Sequence, residues 1–140
     1  MALELNSLQK AVASLGRSVA VALSSEKMDA FDSDTQEAIK AGVIQNFEFT
    51  YELCWKLMKR WLAHNVGETY VDGVTRRELF RLSAEYHLIR DVDLWMDYHK
   101  DRNRTSHTYD EETAAEVFNS ATEFYHEAKK FQAEITKRND

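Results

Sequence analysis

The 140-residue sequence has no proline anywhere and only four glycines, at positions 16, 42, 67 and 73. Strands joined by tight turns need such residues, whereas long helices exclude them, so this chain is expected to be helical throughout. With so few breakers, apolar spacing has to decide where the chain turns. Leu5, Leu8, Val12, Leu15, Val19 and Ala22 recur at alternating intervals of three and four. That spacing predicts a first helix of about twenty residues with one apolar face. The polar run Ser24 to Asp34 interrupts the pattern, and Asp34-x-x-Glu37 has the form of a helix start.

A second helix is predicted from about Thr35 to about Asn65. Ile44, Phe47, Tyr51, Cys54, Met58 and Trp61 form one stripe along it, and Phe49, Leu53 and Leu57 form another. A helix apolar on two faces belongs at the centre of a bundle. Gly67 and Gly73 bracket a connector, and Thr75-x-x-Glu78 opens a shorter helix through about His87. Asp91 or Asp93 caps the next, which carries Val92, Trp95, Met96 and His99 and loses its regularity around Thr105. Asp110-Glu-Glu starts the last helix, with the stripe Val117, Ala121, Phe124, Ala128, Phe131 and Ile135. The expectation is one all-α domain over residues 1–140. Its layout is an antiparallel up-and-down four-helix bundle with one additional short helix.

Charge and residue usage narrow the function. The formal net charge of −6 argues against a broad nucleic-acid-binding surface, though not against a local basic pocket. Cys54 is the only cysteine, so neither an internal disulfide nor a cysteine metal cluster is expected, and its place in a stripe marks it as a small buried hydrophobe. No leader pattern and no membrane-length apolar run is visible, so the expected location is the cytoplasm, with no membrane partner. A di-iron bundle site needs two Glu-x-x-His pairs, and only Glu123-x-x-His126 fits, so no metal is expected. The glycines stand too far apart to cradle a phosphate, and no strand presents paired carboxylates, so no cofactor is expected either. Asn46 and Thr50 read as satisfied polar groups at a helix contact, and His64 and His87 as favourable charges near helix ends. Glu48 and Glu52, a turn apart, are either solvated or border a substrate or partner surface.

The segment Tyr98 to Tyr109 differs from its surroundings. It gathers His99, Lys100, Arg102, Arg104 and His107 against a single acid, Asp101, inside an acidic chain. A guanidinium matches phosphate oxygens, and an imidazole exchanges a proton near neutral pH. Together they suffice for metal-free RNA cleavage: one group takes the 2′-hydroxyl proton, another protonates the leaving oxygen, and arginine stabilises the anionic phosphorus. Arg102 and His107 would stand roughly 140° apart on a regular helix, so they converge only where the helix ends. One chain supplies one copy of each, and a two-fold dimer would bring a second pair to the same cleft. The competing reading is a solvated helix end carrying favourable cations.

Arg102-Asn103-x-x-x-His107-x-Tyr109 resembles the R-x4-H-x-Y signature of the HEPN superfamily, helical domains paired with minimal nucleotidyltransferases. Gln45 to Lys59 (QNFEFTYELCWKLMK) and Arg102 to Asp110 (RNRTSHTYD) are similar to the two motifs of its nucleotidyltransferase substrate-binding subunits, in the same order along nearly the whole chain. The resemblance implies a helical bundle that forms a homodimer and joins a separately encoded minimal nucleotidyltransferase, as a heterotetramer or larger assembly. It implies one of two activities. Members with the intact signature are metal-independent endoribonucleases that act as toxins on RNA. Their roles carry over to Arg102 and His107, with Asn103 as polar support, and Tyr109 as the acceptor of an inactivating AMP from the partner. The alternative is a non-catalytic subunit that holds the substrate of a two-component nucleotidyltransferase, with His99, Lys100, Arg104, Glu48 and Glu52 as further contacts. A third reading is an orphan helical scaffold.

Overall fold

Leu8, Val12, Leu15 and Val19 lie buried along one side of α1 (Asn6–Leu23) in a computed structural model, which describes residues 2–140. Leu5 is buried at the start of the same helix. The polar run that follows contains α2 (Ser25–Asp29), a helix the spacing did not reveal. Five residues are too few to show a period. Ser24 caps it by accepting from the Lys27 amide, and Met28 is its buried residue.

The second long helix, α3 (Ser33–Asn65), begins two residues earlier than the Asp34 signal indicates. Its cap is Asp32, which accepts from the Thr35 amide at 2.8 Å, and Asp34 falls inside the first turn. The α2–α3 turn fixes this start, because the Gln36 side chain donates to the carbonyls of Met28 (2.6 Å) and Phe31 (3.2 Å). The six-residue stripe of α3 is buried as expected, but its second apolar face is incomplete: Leu57 is buried, Leu53 half-buried and Phe49 55% exposed. Asn46 and Thr50 join α3 to α1. Asn46 donates to the Ser18 hydroxyl at 3.1 Å, and the Thr50 hydroxyl lies 2.7 Å from the Asn46 carbonyl and 3.3 Å from that of Ala11.

After a connector in which Gly67 adopts φ 140°, Thr75 caps α4 (Arg76–Glu85) through the Glu78 amide. Asp91 caps α5 (Val92–Asn103), and Asp110 caps α6 (Glu111–Lys137), where all six predicted stripe residues are buried. Gly16 allows α1 to approach α6, since a Cβ there would stand 2.7 Å from the Tyr125 ring. The core centres on Phe124. Its ring meets those of Phe47, Trp95 and Tyr98 edge-on at 5.2, 5.4 and 5.0 Å, so α3, α5 and α6 are locked at one point. The chain is all-α, with six α-helices instead of five and no strand among the described residues. No described helix is long and apolar enough to cross a membrane.

Candidate functional site

α5 stops at Asn103, and a 3-10 turn, Thr105–His107, separates it from α6. The break in helix that the Arg102–His107 spacing requires is therefore present. The turn is held by its own bonds. The Thr105 hydroxyl donates to the Arg102 carbonyl at 2.9 Å, and the Thr108 hydroxyl to the Thr105 carbonyl at 3.2 Å. His107 is exposed, and its ring lies 6.0 Å from that of Tyr109, which is 84% exposed. No hydrogen bond joins Arg102 to His107 within the described residues.

Arg102 is held instead by α3. Its Nη1 lies 3.4 Å from Glu48 Oε2, and its Nε lies 3.2 Å from Glu52 Oε1. Nε is buried but not aimed at that oxygen, so the second contact is an ion pair without a hydrogen bond. These groups keep roughly a third of their exposure, so each pair contributes about 1 kcal/mol at most. Nη2 meets no acceptor among the described residues, which leaves that nitrogen of the guanidinium available. Glu48 and Glu52 thus face Arg102 within the chain.

Arg104 is also occupied. It lies 3.2 Å from Asp101 and 2.6 Å from Glu116, and Asp101 takes a further bond from the Ser120 hydroxyl. The hydrogen bond from Arg104 to Glu116 raises the arginine pKa above its ordinary value. Arg104 therefore ties α5 to α6. Lys100 is exposed, with no carboxylate partner among the described residues.

His99 occupies a place that sequence spacing did not anticipate. Its Nδ1 stands 2.7 Å from the hydroxyl of Tyr51, on α3, and its Nε2 stands 3.5 Å from the Asn103 carboxamide. Arg76, at the start of α4, donates to that same Tyr51 hydroxyl at 3.0 Å. The Arg76 guanidinium also lies 3.7 Å from the centre of the Trp55 ring, and Trp55 Nε1 donates to Glu52 at 3.1 Å. Arg76 thereby reaches Asn103 through Tyr51 and His99, and Arg102 through Trp55 and Glu52. Burial, then the charge of Arg76, holds the His99 pKa below 6.5. Burial likewise pushes the Tyr51 hydroxyl well above the ordinary phenol range, and the Cys54 thiol well above the thiol range. Tyr51 and Trp55 lie in the Gln45–Lys59 motif and Arg76 at a helix start, but nothing in the sequence placed the three beside one another.

Beside Tyr109, a groove of about 800 Å³ runs between the first half of α3 and the first half of α6. Ile44, Ala115 and Phe118 form its apolar part, and Glu37, Lys40 and Glu111 its charged rim.

The family described as nucleotidyltransferase substrate binding protein like matches residues 3–137. A Haemophilus influenzae protein called a probable ribonuclease HepT is 36% identical over 138 residues, which span 98% of this chain and 94% of that protein. A solved H. influenzae structure, described as revealing the fold of a substrate binding domain of a nucleotidyltransferase, superposes with a TM-score of 0.90. It is 34% identical, over 95% of this chain and 99% of that one. A Thermus thermophilus structure superposes with a TM-score of 0.73 at 25% identity, over 91% of this chain and 98% of that one.

Proposed function

The chain belongs to the nucleotidyltransferase substrate-binding-like family, and from that premise we propose that it is a HEPN-type, metal-independent endoribonuclease partnered and silenced by a separate minimal nucleotidyltransferase. The observation that carries this reading is the state of the signature residues. Arg102 is braced by Glu48 at Nη1 and by Glu52 at Nε while its Nη2 stays unpaired, and His107 and Tyr109 stand exposed just past the helix end. A phosphodiester oxygen takes the free Arg102 Nη2 and the Asn103 carboxamide. A histidine removes the 2′-hydroxyl proton as that oxygen attacks phosphorus, and the 5′-oxygen leaves with a proton from a second acid. The products are a 2′,3′-cyclic phosphate and a 5′-hydroxyl. One chain supplies a single His107, so the working unit is a homodimer whose cleft holds two Arg102–His107 sets. The exposed Phe49 and the apolar side of the groove by Tyr109 support such a contact.

Tyr109 is the proposed AMP acceptor. Its hydroxyl forms an ester with the α-phosphate of ATP and releases pyrophosphate. The added phosphate and nucleoside then stand beside His107, where the RNA backbone has to sit.

The direct test is cleavage of a fluorescent single-stranded RNA by the purified chain in the presence of a chelator. Wild type is expected to cut, while Arg102→Ala and His107→Ala lose at least about a hundredfold in rate. Equal rates in all three would remove the RNase reading. A second reading is favoured by the groove of about 800 Å³: a non-catalytic subunit that holds a small acceptor for the partner. Transfer of nucleotide to a small molecule, with the chain itself unmodified, would select it.

A further inference from the structure

The contacts around His99 have a direction. Arg76 Nη1 can only donate, so at 3.0 Å the Tyr51 oxygen accepts from it. The Tyr51 side chain is fully buried, and His99 Nδ1, at 2.7 Å, is the acceptor in reach of its hydroxyl proton. A ring whose Nδ1 accepts carries its neutral-state proton on Nε2. That nitrogen stands 3.5 Å from the Asn103 amide nitrogen, and a half-turn of the side chain, which exchanges its nitrogen and oxygen, brings the acceptor there instead. With the oxygen toward the ring, each proton between neighbours in the series Arg76, Tyr51, His99, Asn103 has an acceptor. With the ring inverted, the Tyr51 proton is buried without one.

We propose that His99, fixed as the Nε2–H tautomer by Arg76 and Tyr51, is a positioning residue that orients the Asn103 carboxamide so that its NH2 group donates to the RNA phosphate. The inference rests on the RNase reading for that last step only. The three contributing elements are far apart in the chain, which makes the arrangement a product of tertiary packing: Tyr51 from α3, Arg76 from α4, and His99 with Asn103 one turn apart on α5. The charged groups acting on the ring are Arg76 from α4, Glu52 from α3 and Arg102 from its own helix. Burial first, then Arg76 and Arg102, disfavour a second ring proton against the opposing charge of Glu52, so the ring stays a single-proton donor to Asn103 near neutral pH.

Two measurements on the full chain test this. The first is the long-range nitrogen–proton spectrum of the histidine rings in uniformly labelled protein near neutral pH, with His99 assigned by its loss in His99→Gln. The expected result is protonated Nε2 and bare Nδ1 in wild type. Tyr51→Phe and Arg76→Met should show mixed tautomers, and the Asn103 side-chain amide signals should shift in both. Protonated Nδ1 in wild type overturns the proposal whether or not the protein cleaves RNA. The second is a double-mutant cycle in single-turnover RNA cleavage. Tyr51→Phe and Asn103→Ala should each slow cleavage roughly tenfold or more with little change in KM, and the double variant should be no slower than Asn103→Ala alone. Additive losses would show that Tyr51 does not act through Asn103. Arg76→Met serves in its place if Tyr51→Phe fails to fold. A wild type that cuts no RNA but has the expected tautomer removes the RNase reading and leaves the His99–Asn103 orientation standing.

Discussion

Glu52 braces Arg102 next to its unpaired nitrogen: Oε1 lies 3.2 Å from the arginine Nε, which shares an edge of the guanidinium with Nη2, while Oε2 of the same carboxylate accepts from Trp55. With Glu48 3.4 Å from Nη1, two negative charges face one guanidinium. They restrict its motion, and they also repel an incoming phosphate.

These two effects separate in Glu52→Gln. Removing one charge is expected to tighten binding of a non-cleavable single-stranded RNA several-fold, equivalent to about 1 kcal/mol for a partly solvated charge. The looser guanidinium is expected to slow single-turnover cleavage. Fluorescence anisotropy and quench-flow measure the two sides. Weaker binding in Glu52→Gln would mean that the carboxylate only positions Arg102.

Tyr109 offers a separate test of regulation. Incubation with the cognate nucleotidyltransferase and ATP is expected to add the mass of one AMP group per chain and to abolish cleavage. Tyr109→Phe is expected to remain active and unmodified. The ring is 84% exposed and packs into no core, so this substitution leaves stability unchanged. Intact-mass spectrometry and RNA cleavage on the same samples check it.

The depressed pKa of His99 makes stability depend on pH. The unfolded chain takes up the proton near 6.5, whereas the folded chain resists it. As pH falls below 6.5 the unfolded state gains the proton first, so native stability declines until the folded pKa is passed. Above 6.5 the ring is neutral in both states and adds no slope. Urea unfolding at about pH 7.5 and about pH 5 should therefore show a smaller acid loss in His99→Gln than in wild type. Identical losses would place the acid sensitivity elsewhere.

Phe124 is the packing point on which the site depends. Phe124→Ala leaves a cavity between Phe47, Trp95 and Tyr98 and is expected to cost about 3–5 kcal/mol in denaturant unfolding. Because α5 carries Arg102 and Asn103, activity is expected to fall even where the variant stays folded.

The stripes of α1 and α6 were legible in the sequence because apolar residues spaced three and four apart, as in Leu8–Val19 and Val117–Ile135, share one face only on a helix. The caps at Thr75 and Asp110 were legible for a related reason, since each precedes a periodic run. At the start of α3, Asp32 and Asp34 compete for the same role, and the choice was made by Gln36 reaching back to Met28, which no local pattern reports. The candidate segment Tyr98 to Tyr109 stands out by charge, and its break in helix by spacing. The series from Arg76 through Tyr51 to His99 did not stand out, because it depends on which faces of α3, α4 and α5 meet. Pairing of Glu48 and Glu52 with Arg102 was hidden for the same reason.

The two arginines of the basic island, Arg102 and Arg104, face four carboxylates: Glu48, Glu52, Asp101 and Glu116. With Lys100 exposed on the same segment and Arg76 linked through Trp55 to Glu52, four cations stand against four carboxylates, so a segment that is cationic when read along the chain is close to neutral in space. Such a site has little net charge with which to steer polyanions toward itself. On the RNase reading, RNA capture is expected to proceed at a nearly unassisted encounter rate and to depend only weakly on ionic strength, with discrimination among RNAs left to strand flexibility and fit at the cleft.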